Sequence, residues 1–258
     1  AALITSVVIV YLIVYILVNG IPNLKPELFA WEYNTENVSM LPALINTLIM
    51  TALTLLLAVP IGVFSAIYLV EYAKRGNKLV KIIRMTAETL SGIPSIVYGI
   101  FGFLIFVTAF KWSYSLIAGV LTLLIMILPV ILRTTEEALM AVPDSYREGS
   151  FGLGAGRLRT VFRIVLPSAA PGIFAGVILA IGRIVGESAA LLFTSGPTAA
   201  LPTLLLSSTR TLSVHMYALL TEGFYTDQAN ATAVVLLVMV VGINALSSFA
   251  AKRIGTKE

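Results

Sequence analysis

The sequence contains no cysteine, and this absence excludes several kinds of chemistry at once. Disulfide bonds, thiol nucleophiles and thiolate metal sites all require that residue. The chain also has a single histidine, His215, and no other metal-ligating side chains cluster around it in the sequence. We therefore predict no metal site and assign His215 no catalytic function.

Charged residues are scarce as well. They make up 12% of the 258 residues, whereas 58% of the residues are hydrophobic. Soluble domains usually contain about 25% charged residues. One water-soluble core could not hide so much apolar surface, so the composition predicts an integral membrane protein. The net charge of +4 does not indicate nucleic-acid binding, because the basic residues lie in short loops between apolar runs.

Long apolar runs predict the helices that cross the membrane. A helix needs about 20 mostly apolar residues to span the hydrocarbon core. The runs lack the alternation of β-strands, so an all-α protein is predicted. The first run has no basic segment before it, and we expect a transmembrane helix that lacks its native N-terminus rather than a signal peptide. The six predicted crossings are 2–18, 43–70, 89–110, 113–132, 168–195 and 229–250.

Small residues on the fifth predicted crossing indicate close helix packing. Gly172 with Gly176, and Gly182 with Gly186, have the small-xxx-small spacing that lets two helices approach each other. The mixed segment 200–228 is predicted to form an external hairpin or an interfacial helix.

The distribution of basic residues predicts which loops face the cytoplasm. Loop 71–88 and segment 133–167 are rich in lysine and arginine, and so is the C-terminal tail. Loop 19–42 has one lysine among three glutamates, and segment 196–228 has one arginine. We therefore expect both basic loops and both termini to be cytoplasmic, and the other two loops to be external.

The predicted cytoplasmic segment 133–167 contains residues that typically begin and end short helices. Thr134 with Glu137, and Ser145 with Glu148, fit the capping box that begins a helix. Pro143 is expected to end the first short helix, because the residue before a proline avoids the helical conformation.

The second half of this segment is predicted to form a knob. Pro167 is expected in the first turn of the fifth crossing. The break before that crossing is predicted at Gly152, Gly154 and Gly156. Apolar side chains on a short polar helix indicate insertion into another protein, and they are Tyr146, Phe151 and Leu153.

The spacing of two motifs in the segment resembles the EAA loop of importer-type ABC transporter permeases. The family pattern is E-A-A, three residues, G, nine residues and I-x-L-P. "EGSFGLGA" (148–155) and "IVLP" (164–167) follow it in register, with Gly149 and Ser150 in place of the alanines. The resemblance implies a coupling helix that docks into a groove of a cytoplasmic ATPase. The residues expected to couple to the ATPase are Tyr146, Arg147, Glu148, Phe151, Gly154, Leu166 and Pro167.

Further stretches are similar to the PstA-type permeases of bacterial phosphate importers. They are "RTTEEALMAVPDSYREGSFGLGA", "GRIVGESAALLFTSG" and "SGIPSIVYGIFG", spread over residues 91–196. The sister PstC-type permease is the alternative, because mainly "GESAALLFTSG" and "RTTEEAL" favour PstA.

This resemblance implies a type I ABC importer permease fold, in which residues 1–258 form one transmembrane permease domain with six crossings. It implies a bacterial inner-membrane protein that supplies half of a pathway for inorganic phosphate. The implied partners are a homologous PstC-like permease, a cytoplasmic PstB-like ATPase dimer, an extracytoplasmic PstS-like phosphate-binding protein and membrane lipid.

No stretch of the sequence matches the G-x-x-x-x-G-K-[ST] loop that cradles nucleotide phosphates. "GLGAGR" (152–157) has glycines but no following lysine, and we interpret it as a helix break. We therefore expect no cofactor and no enzymatic activity in this chain, with ATP and Mg²⁺ bound by the partner ATPase.

Two charged residues stand out in the fifth predicted crossing. Arg183 and Glu187 are four residues apart, so one continuous helix would place them on one face. A charge in mid-membrane costs about 2.5–3.5 kcal/mol, so the pair needs a reason to be there. One interpretation is a purely structural ion pair. The other is an anion site, because the guanidinium fork matches tetrahedral oxyanions, and the resemblance implies that charged residues here take part in phosphate passage.

Hydroxyl side chains near these charges are weaker pathway candidates. Ser188 follows Glu187 directly, and Thr47 and Thr51 lie on one face of the second crossing. Such hydroxyls often bond only to backbone carbonyls, so a structural interpretation stays open. The remaining candidates are Asn46, Thr54, Thr194 and Ser195.

Three other functional classes are alternatives. A secondary transporter would use the Arg183–Glu187 pair as an ion relay, but it leaves the 148–167 motif unexplained. A membrane enzyme would need clustered carboxylates or histidines, and a mere anchor would have no use for buried charges. Among ABC permeases, importers of molybdate, sulfate or amino acids remain alternatives to phosphate.

Overall fold

A computed structural model describes residues 2–74 and 76–255, and this part of the chain is helical without strands. The all-α prediction is therefore confirmed. In chain order the helices are α1 (Ala2–Gly20), α2 (Leu41–Ile67), α3 (Lys78–Ser91), α4 (Ser95–Gly102), α5 (Leu116–Met140), α6 (Asp144–Gly152), α7 (Arg157–Thr160), α8 (Leu166–Val185), α9 (Ala189–Leu192), α10 (Leu212–Glu222) and α11 (Thr226–Gly255).

Three π-helical segments extend these helices. They run over Tyr68–Tyr72 after α2, Phe103–Ala109 after α4, and Val161–Val165 between α7 and α8. A π-helical turn holds one more residue than an α-helical turn, and such turns are frequent at functional sites.

Five helical stretches of the described residues are long and apolar enough to span a membrane. A sixth is obtained only if α3 and the helix that follows it count as one bent span. The six predicted crossings therefore correspond to five straight stretches and one bent pair. The five are Leu3–Asn23, Leu41–Tyr72, Leu116–Met140, Arg157–Val185 and Thr226–Phe249.

The boundaries of two predicted crossings were wrong. The chain breaks between Ser91 and Ser95, within the predicted crossing 89–110, because Gly92 and Pro94 interrupt the helix there. The predicted crossing 168–195 instead runs as a continuous helix from Arg157 to Val185. Pro167 consequently lies inside this helix and not in its first turn.

Both predicted capping boxes were also wrong. Thr134 lies inside α5, where its hydroxyl donates to the Val130 carbonyl at 2.9 Å. Ser145 lies inside α6, whose N-cap residue is Pro143. Glu137 forms an ion pair with Arg133, one turn earlier on α5. Both stretches match the sequence pattern of the motif. At Thr134, however, α5 continues without interruption, so no helix begins there.

Close contacts divide the chain into two compact units, and each is made of several chain segments. The first unit comprises residues 1–52, 95–122 and 185–242, and the second comprises 53–94, 123–184 and 243–258. In the first unit a core cluster joins the loop between α1 and α2 to α2, α10 and α11, and it consists of Leu28, Met40, Ala43, Leu212 and Ala231.

The stretch before α10 in the first unit is an ordered loop that bonds to its neighbours through the backbone. Leu116 N donates to Ser207 O at 2.9 Å, and Thr209 N donates to Ser195 O at 3.0 Å. Segment 200–228 therefore consists of a folded-back loop that leads into a short helix, and its external or interfacial position stays a prediction.

The second unit packs parts of three helices around its own apolar cluster. This cluster joins the end of α2, the end of α5 and the helix from Arg157 onward, and it consists of Ala66, Ile67, Leu139, Val142, Val161, Val165 and Ala169. The cluster holds the base of the 144–160 segment in place.

Glycine packing in the second unit follows one of the two predicted small-residue pairs. A Cβ at Gly172 would lie 2.7 Å from the Ala138 Cβ, and one at Gly176 would lie 2.6 Å from the Thr134 Cβ. At Gly182, by contrast, the nearest atom is the Asn244 Oδ1 at 4.0 Å. Gly172 and Gly176 therefore let α8 approach α5 closely, whereas Gly186 lies beyond the end of α8.

This difference gives a matched test on a single helix. We expect Gly176→Ala to lower the free energy of unfolding by about 1–3 kcal/mol, because the added methyl group overpacks the contact with α5. Gly182→Ala should be neutral or slightly stabilising, because the added methyl group meets nothing closer than an ordinary contact at 4.0 Å and a helical glycine is removed. Thermal unfolding of the purified protein in detergent measures both, and equal effects would contradict the packing described above.

Candidate functional site

The segment 144–160, called the knob below, has a compact and well-satisfied backbone. It consists of α6, a turn and α7. Gly154 has a φ of +82°, a conformation that side chains disfavour, and its N–H donates to the Phe151 carbonyl at 2.9 Å. The buried hydroxyls of Ser150 and Thr160 lie 2.8 Å apart and join α6 to α7. The predicted break at the glycines is therefore a tight turn that closes the knob.

Arg147 fastens the knob to the rest of the second unit. Its Nη2 lies 2.7 Å from Glu71 Oε1, and the two side chains are 14% and 8% exposed. The same guanidinium donates to the Leu139 and Val142 carbonyls at 2.9 and 2.8 Å, and to Asp144 at 3.3 Å. One side chain therefore ties α6 to the π-helical end of α2 and to the C-terminus of α5.

The other residues expected to couple to an ATPase lie at the surface of the knob or beside it. Tyr146 and Phe151 are about half exposed, Glu148 is exposed, and Leu153 is 91% exposed. Gly154 is exposed in the turn. Three exposed apolar side chains on one short helix and its turn favour a docking surface over the single exposed apolar residues that any protein carries.

Two of the predicted coupling residues lie outside the knob. Leu166 is partly buried and packs against the apolar cluster of the second unit, whereas Pro167 is exposed on the helix. Both lie in the long helix Arg157–Val185 directly after the knob, at a position called the root of the knob below.

A basic cleft lies between the knob and loop 71–88. Its volume is about 980 Å³. Arg157 covers the ring of Tyr72 at its edge, with 5.2 Å between the guanidinium carbon and the ring centroid. The basic residues that line the cleft are Lys74, Lys78, Lys81, Arg84, Arg147 and Arg157.

Arg183 and Glu187 are not on one helix. Arg183 is partly buried in the last turn of α8, which ends at Val185, whereas Glu187 follows in non-helical backbone. They also belong to different compact units. The expected arrangement of both residues on one helical face was therefore wrong. Neither residue takes part in the ion pairs found among residues 2–74 and 76–255, so this part of the chain gives no support to a structural ion pair.

Glu187 has a structural environment of its own in the first unit. It is 8% exposed, and its Oε1 accepts a hydrogen bond from Ala190 N at 3.0 Å. Its backbone carbonyl accepts from Ser213 Oγ at 2.6 Å. The carboxylate therefore satisfies a backbone donor at the start of α9, and it stabilises the chain where the long helix has ended.

The hydroxyl candidates are largely committed to the backbone. Thr47 Oγ1 donates to Ala43 O and accepts from Leu212 N, both at 2.8 Å. Thr51 Oγ1 donates to Thr47 O at 2.7 Å. Ser188 is partly buried and precedes α9, with its carbonyl accepting from Leu192 N. Thr194 and Ser195 are fully buried and also bond to carbonyls one turn earlier.

His215 is fully buried in α10, outside the membrane-spanning stretches. Its ring lies against Tyr33, with 6.0 Å between the ring centroids. Burial lowers the pKa of His215 to about 3, and the positive charge of Arg210 adds to the effect, while the backbone of Val38 opposes it. His215 is therefore neutral at physiological pH. No group of three or more possible metal ligands occurs among residues 2–74 and 76–255.

Comparison with known proteins bears on what these features mean. Residues 58–257 match the family described as the binding-protein-dependent transport system inner membrane component. The chain belongs to this family. The matched range includes the knob, the basic cleft, Arg183 and Glu187, so all of them are parts of an ABC importer permease.

Relatives and solved structures agree with this assignment. A probable ABC transporter permease, YqgI of Bacillus subtilis, is 36% identical over 99% of this chain and 91% of its own. The phosphate transport system permease PstA of Mycobacterium leprae is 35% identical over 78% and 67%. A bacterial alginate ABC transporter chain, 16% identical, has a TM-score of 0.69 over 99% of this chain and 94% of that one. The permease is thus PstA-like in sequence and has the type I importer fold.

Sequence reasoning missed Glu71 as the partner of Arg147. The two residues are 76 positions apart, and no local pattern joins them. The available signal was a carboxylate at the end of an apolar helix, directly before a basic loop.

Removal of this partner should loosen the knob of the permease. We expect Glu71→Leu to cost about 3–5 kcal/mol of unfolding free energy, because it leaves a buried guanidinium charge without its carboxylate. Glu71→Leu combined with Arg147→Met should recover part of that loss, since no lone charge remains. Thermal unfolding in detergent measures both changes.

Asp144→Asn provides the control for this pair. The Asp144 side chain is 77% exposed, so its ion pair with Arg147 should contribute less than about 1 kcal/mol. If the double variant is no more stable than Glu71→Leu alone, the charge argument fails.

The buried histidine predicts an acid sensitivity of the first unit. Because the pKa of His215 is about 3 in the folded chain and about 6.5 in the unfolded chain, the unfolded state binds more protons between these values. Stability should fall as the pH decreases from about 6.5 towards 3, by up to about 1.4 kcal/mol per pH unit. Unfolding midpoints of wild type and His215→Phe over this pH range test it, and parallel curves would refute the assignment.

Proposed function

We propose that this ABC importer permease forms half of a pathway for inorganic phosphate. The proposal is supported by its similarity to PstA permeases and by a guanidinium near the end of an otherwise apolar helix. The other half of the pathway would be a homologous permease, and an external phosphate-binding protein would deliver the anion. Both basic loops and both termini would face the cytoplasm.

Arg183 is the residue that we propose to meet the anion. Guanidinium offers a planar set of donors that matches two oxygens of a tetrahedral oxyanion. Arg183 is only partly buried and forms none of the described ion pairs, so its charge is available to a ligand. Glu187 has a different function in this proposal, because its carboxylate caps α9 and keeps the break after α8 in shape. Ser188, Thr47 and Thr51 are proposed as polar groups along the path, with hydroxyls held in fixed orientations by their backbone bonds.

The knob is proposed to couple the permease to a cytoplasmic ATPase dimer, which would bind ATP and Mg²⁺. Tyr146, Glu148, Phe151 and Leu153 supply exposed side chains for docking, and the turn at Gly154 holds them in place. Arg147 would act inside the second unit, because its hydrogen bonds would pass a displacement of α6 on to α2 and α5. Leu166 and Pro167 would lie at the root of the knob, where a displacement of the knob is passed to the long helix.

The proposal is tested with the reconstituted full complex in vesicles. We expect Arg183→Gln to reduce phosphate uptake about tenfold or more, because at least one charge-assisted hydrogen bond to the anion is lost. ATP hydrolysis should persist, since the knob is untouched. Arg183→Lys should retain part of the uptake, because it keeps the charge and loses the fork. The measurements are uptake of labelled phosphate and release of ADP.

Glu148→Lys is the complementary variant on the knob. It reverses a charge on an exposed face of α6, so ATP hydrolysis should lose its dependence on binding protein and substrate, or the ATPase should dissociate. Normal uptake by Arg183→Gln would contradict the phosphate site. Uptake of sulfate or molybdate in preference to phosphate would keep the importer and change its substrate, whereas uptake without an ATPase would indicate a secondary transporter.

A further inference from the structure

Arg210 is a buried cation, and two of its hydrogen-bond donor atoms lack a partner among the described residues. The residue is 5% exposed and lies in the first unit, just before α10. Its Nε and Nη2 atoms are buried and have no hydrogen-bond partner in the part of the chain that the structure describes. None of the ion pairs among the described residues includes it. Taking a charged group out of water is costly unless it is paired, so this edge of the guanidinium calls for an anion.

The backbone N–H and C=O groups of Arg210, in contrast, both form hydrogen bonds. Arg210 N donates to Thr198 O at 2.9 Å, and Arg210 O accepts from Asn46 Nδ2 at 3.3 Å. The same Asn46 amide donates to Ala200 O at 2.9 Å. The start of α10 is fixed to α2 through Thr47. The unfilled donors therefore belong to a side chain on a rigid support, which is the usual arrangement of a preorganised binding residue.

Two aromatic rings complete the surroundings of the guanidinium. Arg210 lies over the face of Tyr33, with 4.7 Å between the guanidinium carbon and the ring centroid. This cation–π contact stabilises the charge without occupying any N–H group. His215 meets the same Tyr33 ring edge-on, and both of its ring nitrogens are buried. A neutral imidazole has one N–H donor to offer.

The two unfilled atoms of Arg210 are on the same edge of the guanidinium. The Nε–H and one Nη2–H point in parallel and grip two oxygens of a carboxylate or phosphate side by side. From this edge, its burial and its rigid support, we infer that Arg210 is the centre of a phosphate-oxyanion site in the first unit, separate from Arg183. The ligand is either free phosphate or the phosphodiester of a lipid headgroup, since both present two such oxygens.

This site is tested by binding and not by transport, so its outcome is independent of the proposed function. The full complex is purified in a phosphate-free detergent, and its unfolding midpoint is measured over a series of phosphate concentrations at constant ionic strength. A ligand that binds only the folded state raises this midpoint. We expect Arg210→Met to weaken the apparent affinity about tenfold or more, and Arg210→Lys to weaken it less, because charge remains without the parallel edge.

Lys25→Met is the matched control, because it removes an exposed positive charge from the same unit. Phosphate sites elsewhere in the complex contribute equally to all of these variants and cancel in the comparison. Equal phosphate-dependent shifts in wild type, Arg210→Lys and Arg210→Met would overturn the proposal. If Arg210→Met does not assemble, the comparison of wild type with Arg210→Lys decides it in the same way.

A second titration identifies the source of the oxyanion. The delipidated complex is given phosphatidylglycerol or, as a control, an uncharged glycolipid. An Arg210-dependent shift with inorganic phosphate supports a site for the free anion, whereas one with phosphatidylglycerol alone supports a headgroup site. No Arg210-dependent shift with either ligand refutes the site.

Discussion

A guanidinium group that leaves water needs partners on all of its edges, and Arg147 meets this requirement with protein atoms alone. Glu71 neutralises its charge, while carbonyls at the end of α5 accept its remaining protons. Because Arg147 lies on α6 and these partners lie at the ends of α2 and α5, satisfying one side chain also fixes where α2 and α5 end. The knob has no large core of its own, so its placement depends on this ion pair and on the apolar cluster beneath it.

The same requirement explains much of the polar chemistry in the first unit. A membrane-spanning chain cannot leave backbone groups unsatisfied where the helix breaks. Glu187 and Ser213 supply the bonds after α8 has ended, and Thr47 supplies one at the start of α10. Residues that look like pathway residues in the sequence therefore also maintain the backbone. Arg183 and Arg210 differ from them, because neither takes part in an ion pair among residues 2–74 and 76–255.

The sequence predicts those features that depend on local composition. The apolar runs located five straight spans, because hydropathy directly measures what lipid selects. Hydropathy does not report the path of the backbone, so the break after Val185 was missed within the predicted crossing 168–195. The pairing of Glu71 with Arg147, and the position of Tyr33 beneath Arg210, join residues that are distant in the chain. No local periodicity or motif encodes such contacts, and only the folded chain reveals them.

The π-helical segment Val161–Val165 has a geometric consequence for the long helix that begins at Arg157. An α-helix advances about 100° per residue, so one extra residue in a turn rotates everything before it by about that angle. The side chains of α7 therefore point in a direction that an uninterrupted α-helix would not give them relative to α8. This offset sets the direction, around the axis of the long helix, in which the knob projects. Deletion of a single residue here would turn the knob's surface by more than a quarter of a circle without altering any residue on it.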